Sequence, residues 1–148
     1  MERRSLYIRA QIYDMSRNSP WVERGAILLG PHDAYAIFPP IPLPARWRRE
    51  GQPAWSPVLV WFPAFYPEEA PRGFYLRSDL SLWDGSRDEH FYQRAYHDNP
   101  DLSEKGWFFY CVLIHGWKPH PRNPLEKDNL WSFMDVVRLC LSSGQKEF

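Results

Sequence analysis

Apolar and polar residues alternate along the first part of the chain, and this alternation predicts strands. In LYIRAQIY, residues 6–13, Leu6, Ile8, Ala10 and Ile12 recur at every second position, which favours a half-buried strand over a short helix. Shorter apolar runs bounded by glycine or proline predict further strands at residues 25–30, 34–38, 57–62, 73–76 and 107–114. The last run, WFFYCVLI, is unbroken and is typical of a buried strand.

The final segment has a helical period and predicts the clearest helix of the chain. Within residues 128–144, Asp128 or Asn129 can cap the start and Gly144 can end the helix. Apolar side chains recur between them at i, i+3 and i+4 spacing, namely Leu130, Phe133, Met134, Val137, Cys140 and Leu141.

Proline and glycine dominate the connections between these elements. Residues 39–57 show no clear period and predict a long loop, and the prolines of residues 63–71 end the strand before them. Residues 77–106 are polar and rich in turn residues. A loop of that length is uncommon unless it has a role, such as forming the wall of a site.

Composition narrows the fold class to a single α+β domain over residues 1–148. The chain has 15 prolines and 17% aromatic residues, which argues against a helical bundle because proline interrupts helices. We expect an antiparallel meander sheet of about four strands with the C-terminal helix packed on one face.

Charge and hydropathy exclude some classes of partner. The chain has 18 basic and 18 acidic residues and no long basic block, so nucleic acid is not an expected partner. No apolar run approaches the roughly 18 residues of a membrane span, and the first residues lack the apolar core of a secretory signal. We therefore expect a cytoplasmic protein with no membrane partner and with reduced thiols.

Cys111 is the candidate nucleophile of the chain. An Asn side chain, such as that of Asn99, can stabilise an oxyanion, and His115 follows four residues after the thiol. Composition alone favours a core thiol, because Cys111 is flanked by large apolar residues. In a regular strand Cys111 and His115 would lie about 13 Å apart, so joint catalysis requires the chain to leave strand geometry near Cys111.

Four short motifs resemble those of ubiquitin-conjugating enzymes, in the same order. GPHDAY at 30–35 resembles their Gly-Pro hairpin, and LVWFPAFYPEEAP at 59–71 resembles their strand followed by a Tyr-Pro turn. AYHDNPDLSEKGWFFYC at 95–111 resembles the segment with their active-site cysteine, with Asp98 where the family has proline. GWKP at 116–119 resembles their Trp-Lys-Pro. The resemblance covers roughly residues 26 to 142.

The match is closer to bacterial relatives encoded beside activating-enzyme-like, ubiquitin-like and JAB-type protease genes. Their FYL, His, Trp-x-Pro and Asp-x-Leu-Trp motifs correspond to residues 74–76, His115, 117–119 and 128–131. Residues 1–25 do not show the amphipathic opening helix of the family, which helps to bind the activating enzyme.

This resemblance implies a ubiquitin-conjugating-like (UBC-like) fold and a transferase activity. Cys111 would accept a ubiquitin-like protein as a thioester and pass it to an amine, Asn99 would stabilise the oxyanion, and His115 would orient groups or relay protons. The expected partners are a ubiquitin-like protein, an activating-enzyme-like (E1-like) protein and, in the same pathway, a JAB-type protease.

Two alternatives remain open. The domain could be a non-catalytic UBC-fold variant that only binds a ubiquitin-like protein or pathway partner, or an unrelated α+β interaction protein. No cofactor is expected, and no metal site, because Cys111, His115 and His120 lack the paired spacing of metal ligands. Cys140 is expected in the core, and His90 in a solvated loop.

Overall fold

The computed structural model of the chain describes residues 2–92 and 99–148. Its three helices are α1 (Arg3–Ser16), α2 (Trp21–Arg24) and α3 (Leu130–Ser143). Two short 3-10 turns lie at Pro31–Asp33 and Ser103–Lys105.

The strand predicted over residues 6–13 is wrong, because this segment is the centre of α1. The residues that α1 buries follow the helical period and are Tyr7, Ile8, Gln11, Ile12 and Met15. The apolar Leu6 is 44% exposed, whereas the polar Gln11 is fully buried. Gln11 belongs to the core because its side-chain amide is hydrogen bonded there, and this buried polar residue hid the helical pattern.

The strands form one large antiparallel sheet and one small sheet. The large sheet has the order β1-β2-β5-β6-β9-β8, with β1 Leu28–Leu29, β2 Tyr35–Pro42, β5 Trp55–Trp61, β6 Gly73–Arg77, β8 Phe91–Tyr92 and β9 Trp107–Cys111. The small sheet has the order β4-β3-β7, with β3 Trp47–Arg49, β4 Gln52–Pro53 and β7 Ser81–Leu82. The α+β class with antiparallel sheets and a C-terminal helix is therefore confirmed.

The connectivity of the large sheet agrees with the expected meander except at one edge. Strands β1, β2, β5, β6 and β9 lie side by side in chain order, but β8 precedes β9 and pairs on its outer side. Of the two-residue edge strands, β1 lies within the strand predicted over residues 25–30, whereas β8 was not predicted because a segment so short carries no measurable period. The loop predicted over residues 39–57 is also partly wrong, since it contains β3, β4 and the end of β2. A register shift between Phe38 and Ile41 accommodates the prolines that lack a backbone N–H there.

Alternate residues of the central strands face two different hydrophobic clusters. One face joins both long helices in the main core, where Phe74 and Tyr110 pack with residues of α1 and α3. The opposite face carries a smaller cluster of Leu59, Tyr75, Trp107 and Phe109. Segment 99–106 lies against the smaller cluster: Leu102 packs on it, and the Tyr75 hydroxyl donates a 2.6 Å hydrogen bond to the Pro100 carbonyl.

The predicted C-terminal helix is confirmed, together with its caps. The Asn129 side chain accepts hydrogen bonds from the backbone N–H groups of Trp131 and Ser132, and the Ser132 hydroxyl accepts one from the Asn129 N–H. Gly144 ends the helix with φ of 76°, a left-handed conformation that suits glycine. The helix packs on one face of the large sheet, as expected, and its Cys140 lies in the core.

Candidate functional site

Cys111 is the last residue of β9, and it lies on the sheet face opposite the helices. Its side chain packs at the margin of the smaller cluster, whereas its neighbours Tyr110 and Val112 enter the main core. The residue opposite Cys111 on β6 is Gly73. A side chain at Gly73 would collide with the Tyr110 carbonyl and the Phe109 ring, so the close approach of β6 and β9 beside the thiol requires glycine.

The outer neighbour of the chain changes at Cys111. The Cys111 N–H donates to the His90 carbonyl at 3.2 Å, next to β8, while the Leu113 N–H donates to the Lys146 carbonyl at 2.7 Å. Between them, the Val112 N–H points to the other side and donates to the Arg72 carbonyl at 2.9 Å. The regular strand thus ends at the thiol, where β8 gives way to residues 146–148 as the outer partner.

A cleft of about 150 Å³ opens at this junction. Its lining residues are Arg72, Cys111, Val112, Leu113, Lys146 and Glu147. Cys111 is half-buried and reaches this cleft, whereas Cys140 is fully buried. Burial raises the pKa of the Cys140 thiol to about 12. Of the two thiols, only Cys111 combines exposure with a concave surface that a substrate can enter.

Opposing effects act on the Cys111 thiol. Partial burial raises its pKa above the ordinary value for cysteine, because the charged thiolate is less well solvated there. The positive charges of Lys146 and Arg72 act in the opposite direction and lower the pKa, but they do not overcome the effect of burial. The resting thiol is therefore mostly protonated at neutral pH, with two cations beside it.

Asn99 lines a neighbouring, larger cleft of about 580 Å³. That cleft also contains Arg4, Trp61 and Glu69, and it shares Arg72 with the cleft of Cys111. Asn99 and Cys111 therefore line two clefts that have Arg72 in common. His97 and Asp98, which precede Asn99 in the family-like motif, lie outside the described residues.

His115 lies outside the cleft of Cys111. Its side chain is 66% exposed, and it is not among the residues that line the Cys111 cleft. Its Nε2 lies 3.9 Å from a carboxylate oxygen of Glu147, which does line the cleft. His115 is thus connected to the site through Glu147 rather than directly.

The expectation that His90 is solvated is wrong. The residue is 8% exposed, and its ring lies edge-on to that of Tyr110 at 6.0 Å. Its backbone N–H donates to the Asp88 carboxylate at 2.9 Å, which holds the turn before β8. Among the described residues, no hydrogen-bond partner lies near its Nδ1. A histidine in a polar stretch of sequence gives no sign that the fold will bury it.

Arg72, Lys146 and Glu147 are the residues of this site that sequence reasoning missed. The FYL motif already placed a strand after Arg72, so pairing that strand with WFFYC could have located Arg72 near Cys111. Lys146 and Glu147 carry no comparable signal, because they follow the last predicted helix and reach the thiol only through tertiary pairing with Leu113.

A scan against protein-family models matched no family, and searches of the curated proteins and of the solved structures found no match. Within residues 2–92 and 99–148, no group of three or more His, Cys, Asp or Glu side chains is arranged to hold a metal ion. None of the helices in the described part of the chain has the length and apolar character needed to cross a membrane.

Proposed function

We propose that this protein is a ubiquitin-conjugating-like transferase with a UBC-like fold, which carries a ubiquitin-like protein as a thioester on Cys111. The observation that carries the proposal is the position of this thiol. Cys111 is half-buried at the end of the last strand, in a cleft that also contains three charged residues, Arg72, Lys146 and Glu147. A cysteine that served only the core would have the surroundings of Cys140, which is sealed in apolar side chains.

The positions of the family-like motifs support the same proposal. Gly30-Pro31 lies in the connection between β1 and β2, and Tyr66-Pro67 lies in the turn between β5 and β6. Trp117-Lys118-Pro119 lies between Cys111 and α3, and the Trp117 indole N–H donates to the Pro67 carbonyl at 2.8 Å. These motifs thus lie, in the same order as in the chain, in connections between elements of the large sheet and α3, as the resemblance implies.

Residues 1–25, which were expected to lack an opening helix, contain α1, and in this proposal α1 takes the place of the opening helix of the family. Its exposed side contains Leu6 and Tyr13, which are 44% and 64% exposed, and Arg9, whose side chain is 57% exposed. In this proposal, that surface binds an activating-enzyme-like protein. The ubiquitin-like protein and a JAB-type protease complete the expected partners.

The reaction is a transfer of an acyl group between sulfur atoms and then to nitrogen. The Cys111 thiolate attacks the carbonyl carbon of the thioester held by the activating-enzyme-like protein. A new C–S bond forms, the old C–S bond breaks, and the departing sulfur takes a proton from water. An amine then attacks the Cys111 thioester, loses a proton to water and releases the thiolate. Asn99 stabilises the oxyanion in the second transfer, while His115 acts at the margin of the site.

The direct test is formation of a thiol-sensitive adduct. With an activating-enzyme-like protein, ATP and a ubiquitin-like protein with a free terminal carboxyl, the full chain should form an adduct that reductant destroys. Cys111→Ala should abolish it, and Cys111→Ser should trap a longer-lived oxyester. Cys140→Ala is the matched control and should load normally. An adduct that persists in Cys111→Ala would place the nucleophile elsewhere.

The role of Asn99 is tested separately. Asn99→Ala should leave loading of Cys111 intact but slow discharge to an amine by roughly 10²-fold, the usual effect of losing one oxyanion donor. His115→Ala should have a much smaller effect, because the imidazole is largely exposed and reaches the site only through Glu147. Discharge of Asn99→Ala at the rate of the unmodified protein would remove this residue from the mechanism.

The second candidate function is a non-catalytic UBC-fold variant that binds a ubiquitin-like protein. The raised pKa of Cys111 favours this alternative, because a mostly protonated thiol is a poor nucleophile at neutral pH. The adduct test separates the two candidates, because Cys111 is accessible to labelling in both. A transferase should form the reductant-sensitive adduct on Cys111, whereas a binding variant should bind the ubiquitin-like protein without forming it.

A further inference from the structure

Two cations are fixed on opposite sides of the chain that follows Cys111. The N–H of Val112 donates to the Arg72 carbonyl, and the N–H of the next residue, Leu113, donates to the Lys146 carbonyl. Successive N–H groups of an extended chain point to opposite sides. Arg72 and Lys146 are therefore held by their own backbones, and both side chains line the same cleft as the thiol.

Arg72 has the more central position of the two. It lines the cleft of Cys111, the cleft of Asn99 and a third cleft of about 250 Å³ beside Trp117. Its Nε and Nη2 donate to one carboxylate oxygen of Glu69, at 3.2 and 3.0 Å. These two bonds fix the plane of the guanidinium group and leave its other N–H donors for a ligand.

Two carboxylates near the thiol offset part of this positive charge. Glu147 lines the cleft, but its carboxylate also faces the His115 imidazole. Glu69 is paired with Arg72, and His90 contacts Cys111 through its backbone carbonyl. Of the six described residues that line the cleft, two are cations and one is an anion.

We propose that Lys146 and Arg72 are positioning residues for Cys111, whose positive charges stabilise the thiolate and then the oxyanion of an incoming acyl group. This inference rests on the proposed use of Cys111 as the nucleophile. It assigns the cleft to an electrophile that gains negative charge as it reacts, as a thioester does when sulfur attacks its carbonyl carbon and the carbonyl oxygen becomes an oxyanion. Without the two cations the pKa of this thiol would be higher still, because both act against the effect of burial.

The test measures alkylation of Cys111 in the full chain with two reagents, neutral iodoacetamide and anionic iodoacetate, with the modified residue assigned by mass spectrometry. Lys146→Met should raise the midpoint of the pH–rate profile with iodoacetamide, which lowers the rate at neutral pH by about threefold. The ratio of the iodoacetate rate to the iodoacetamide rate should fall by a further factor of about two. Arg72→Met should act in the same direction.

Charge-preserving variants and distant cations provide the controls. Lys146→Arg and Arg72→Lys should retain the profile, and Lys118→Met and Arg138→Met, which remove exposed cations outside the cleft, should leave it unchanged. The differences should shrink in 1 M salt, where the Debye length is about 3 Å. Equal profiles and equal reagent ratios in Lys146→Met and the unmodified protein would overturn the inference.

Failure of this inference is distinguishable from failure of the proposed function. Alkylation requires neither an activating enzyme nor a ubiquitin-like protein. A shifted profile without any adduct would contradict the transferase proposal alone, whereas adduct formation with an unchanged profile would contradict the role of the cations alone.

Discussion

Replacing Gln11 should destabilise the protein strongly, because this buried side chain connects three separate parts of the fold. Gln11 is fully buried in α1. Its Nε2 donates to the Pro124 carbonyl at 2.9 Å, and its Oε1 accepts hydrogen bonds from the Leu130 N–H at 3.2 Å and from the Tyr66 hydroxyl. The perturbation is Gln11→Met, which keeps the length of the side chain and removes every one of these bonds.

The expected cost follows from the groups left without partners. The Leu130 N–H and the Tyr66 hydroxyl are buried, and each costs about 1–2 kcal/mol when it loses its partner. The Pro124 carbonyl is partly exposed and adds about 1 kcal/mol at most, while the more apolar methionine recovers about 1 kcal/mol. The net loss is about 3 kcal/mol, which lowers the melting temperature of a chain of this size by about 9 °C.

The assay is a double-mutant cycle by thermal and denaturant unfolding. Tyr66→Phe alone should cost about 1 kcal/mol, but in the Gln11→Met background it should be neutral or stabilising, because it removes a hydroxyl that has already lost its partner. Tyr13→Met, an exposed position in the same helix, is the control. Additive losses in the cycle, or a Gln11→Met protein as stable as the unmodified one, would refute the reasoning.

Three further predictions concern other parts of the structure. Gly73→Ala should cost more than about 2 kcal/mol of stability, because its methyl group would collide with the Tyr110 carbonyl. Gly51→Ala is the comparison in the same denaturant titration and should cost only about 1 kcal/mol, because its methyl group meets open space and only the positive φ of 78° is unfavourable. Asn129→Ala should lower the free energy of unfolding by about 1 kcal/mol, because the cap of α3 is lost, whereas Asn129→Asp should keep most of that stability. Equal unfolding midpoints for the two variants and the unmodified protein would contradict the cap assignment. Burial raises the pKa of the Cys140 thiol to about 12 in the folded chain, whereas an unfolded cysteine ionises near about 8.5. Stability from this buried neutral thiol is therefore lost as the pH rises from about 8.5 towards 12. Cys140→Val should lose less stability than the unmodified protein between about pH 8.5 and 10, and parallel curves would contradict this sign.

Sequence patterns predicted the parts of the fold that have a long, regular period. The helix that contains Phe133 and Val137 was found because its apolar stripe and both caps agree, and β5, β6 and β9 were found from their continuous apolar content. The first helix was missed because a buried glutamine interrupts its apolar face. Such a residue is stabilised only by partners distant in the chain, so local patterning cannot reveal it.

In the candidate site, too, the sequence revealed the residues close to Cys111 in the chain and not those that the tertiary structure brings to it. Cys111 and its nearest chain neighbours were visible in the sequence, and so was the requirement that the strand end close to the thiol, which the structure meets at Cys111 itself. The groups that set its electrostatics were not visible. Arg72 arrives through the register of β6, and Lys146 through pairing of residues 146–148 with the chain after β9.

The exposure of the Cys111 thiol depends on how the outer side of β9 is paired. The cleft exists because the outer partner changes from β8 to residues 146–148, and because Gly73 leaves the opposite side without a side chain. A fully paired strand in this place would bury the thiol, and a free edge would leave Lys146 unattached. Partial pairing instead exposes the sulfur while holding a cation on each side. Substitutions that loosen residues 146–148, such as Phe148→Ala, should therefore change Cys111 alkylation more than they change global stability, since only a few contacts secure this segment while the main core remains intact.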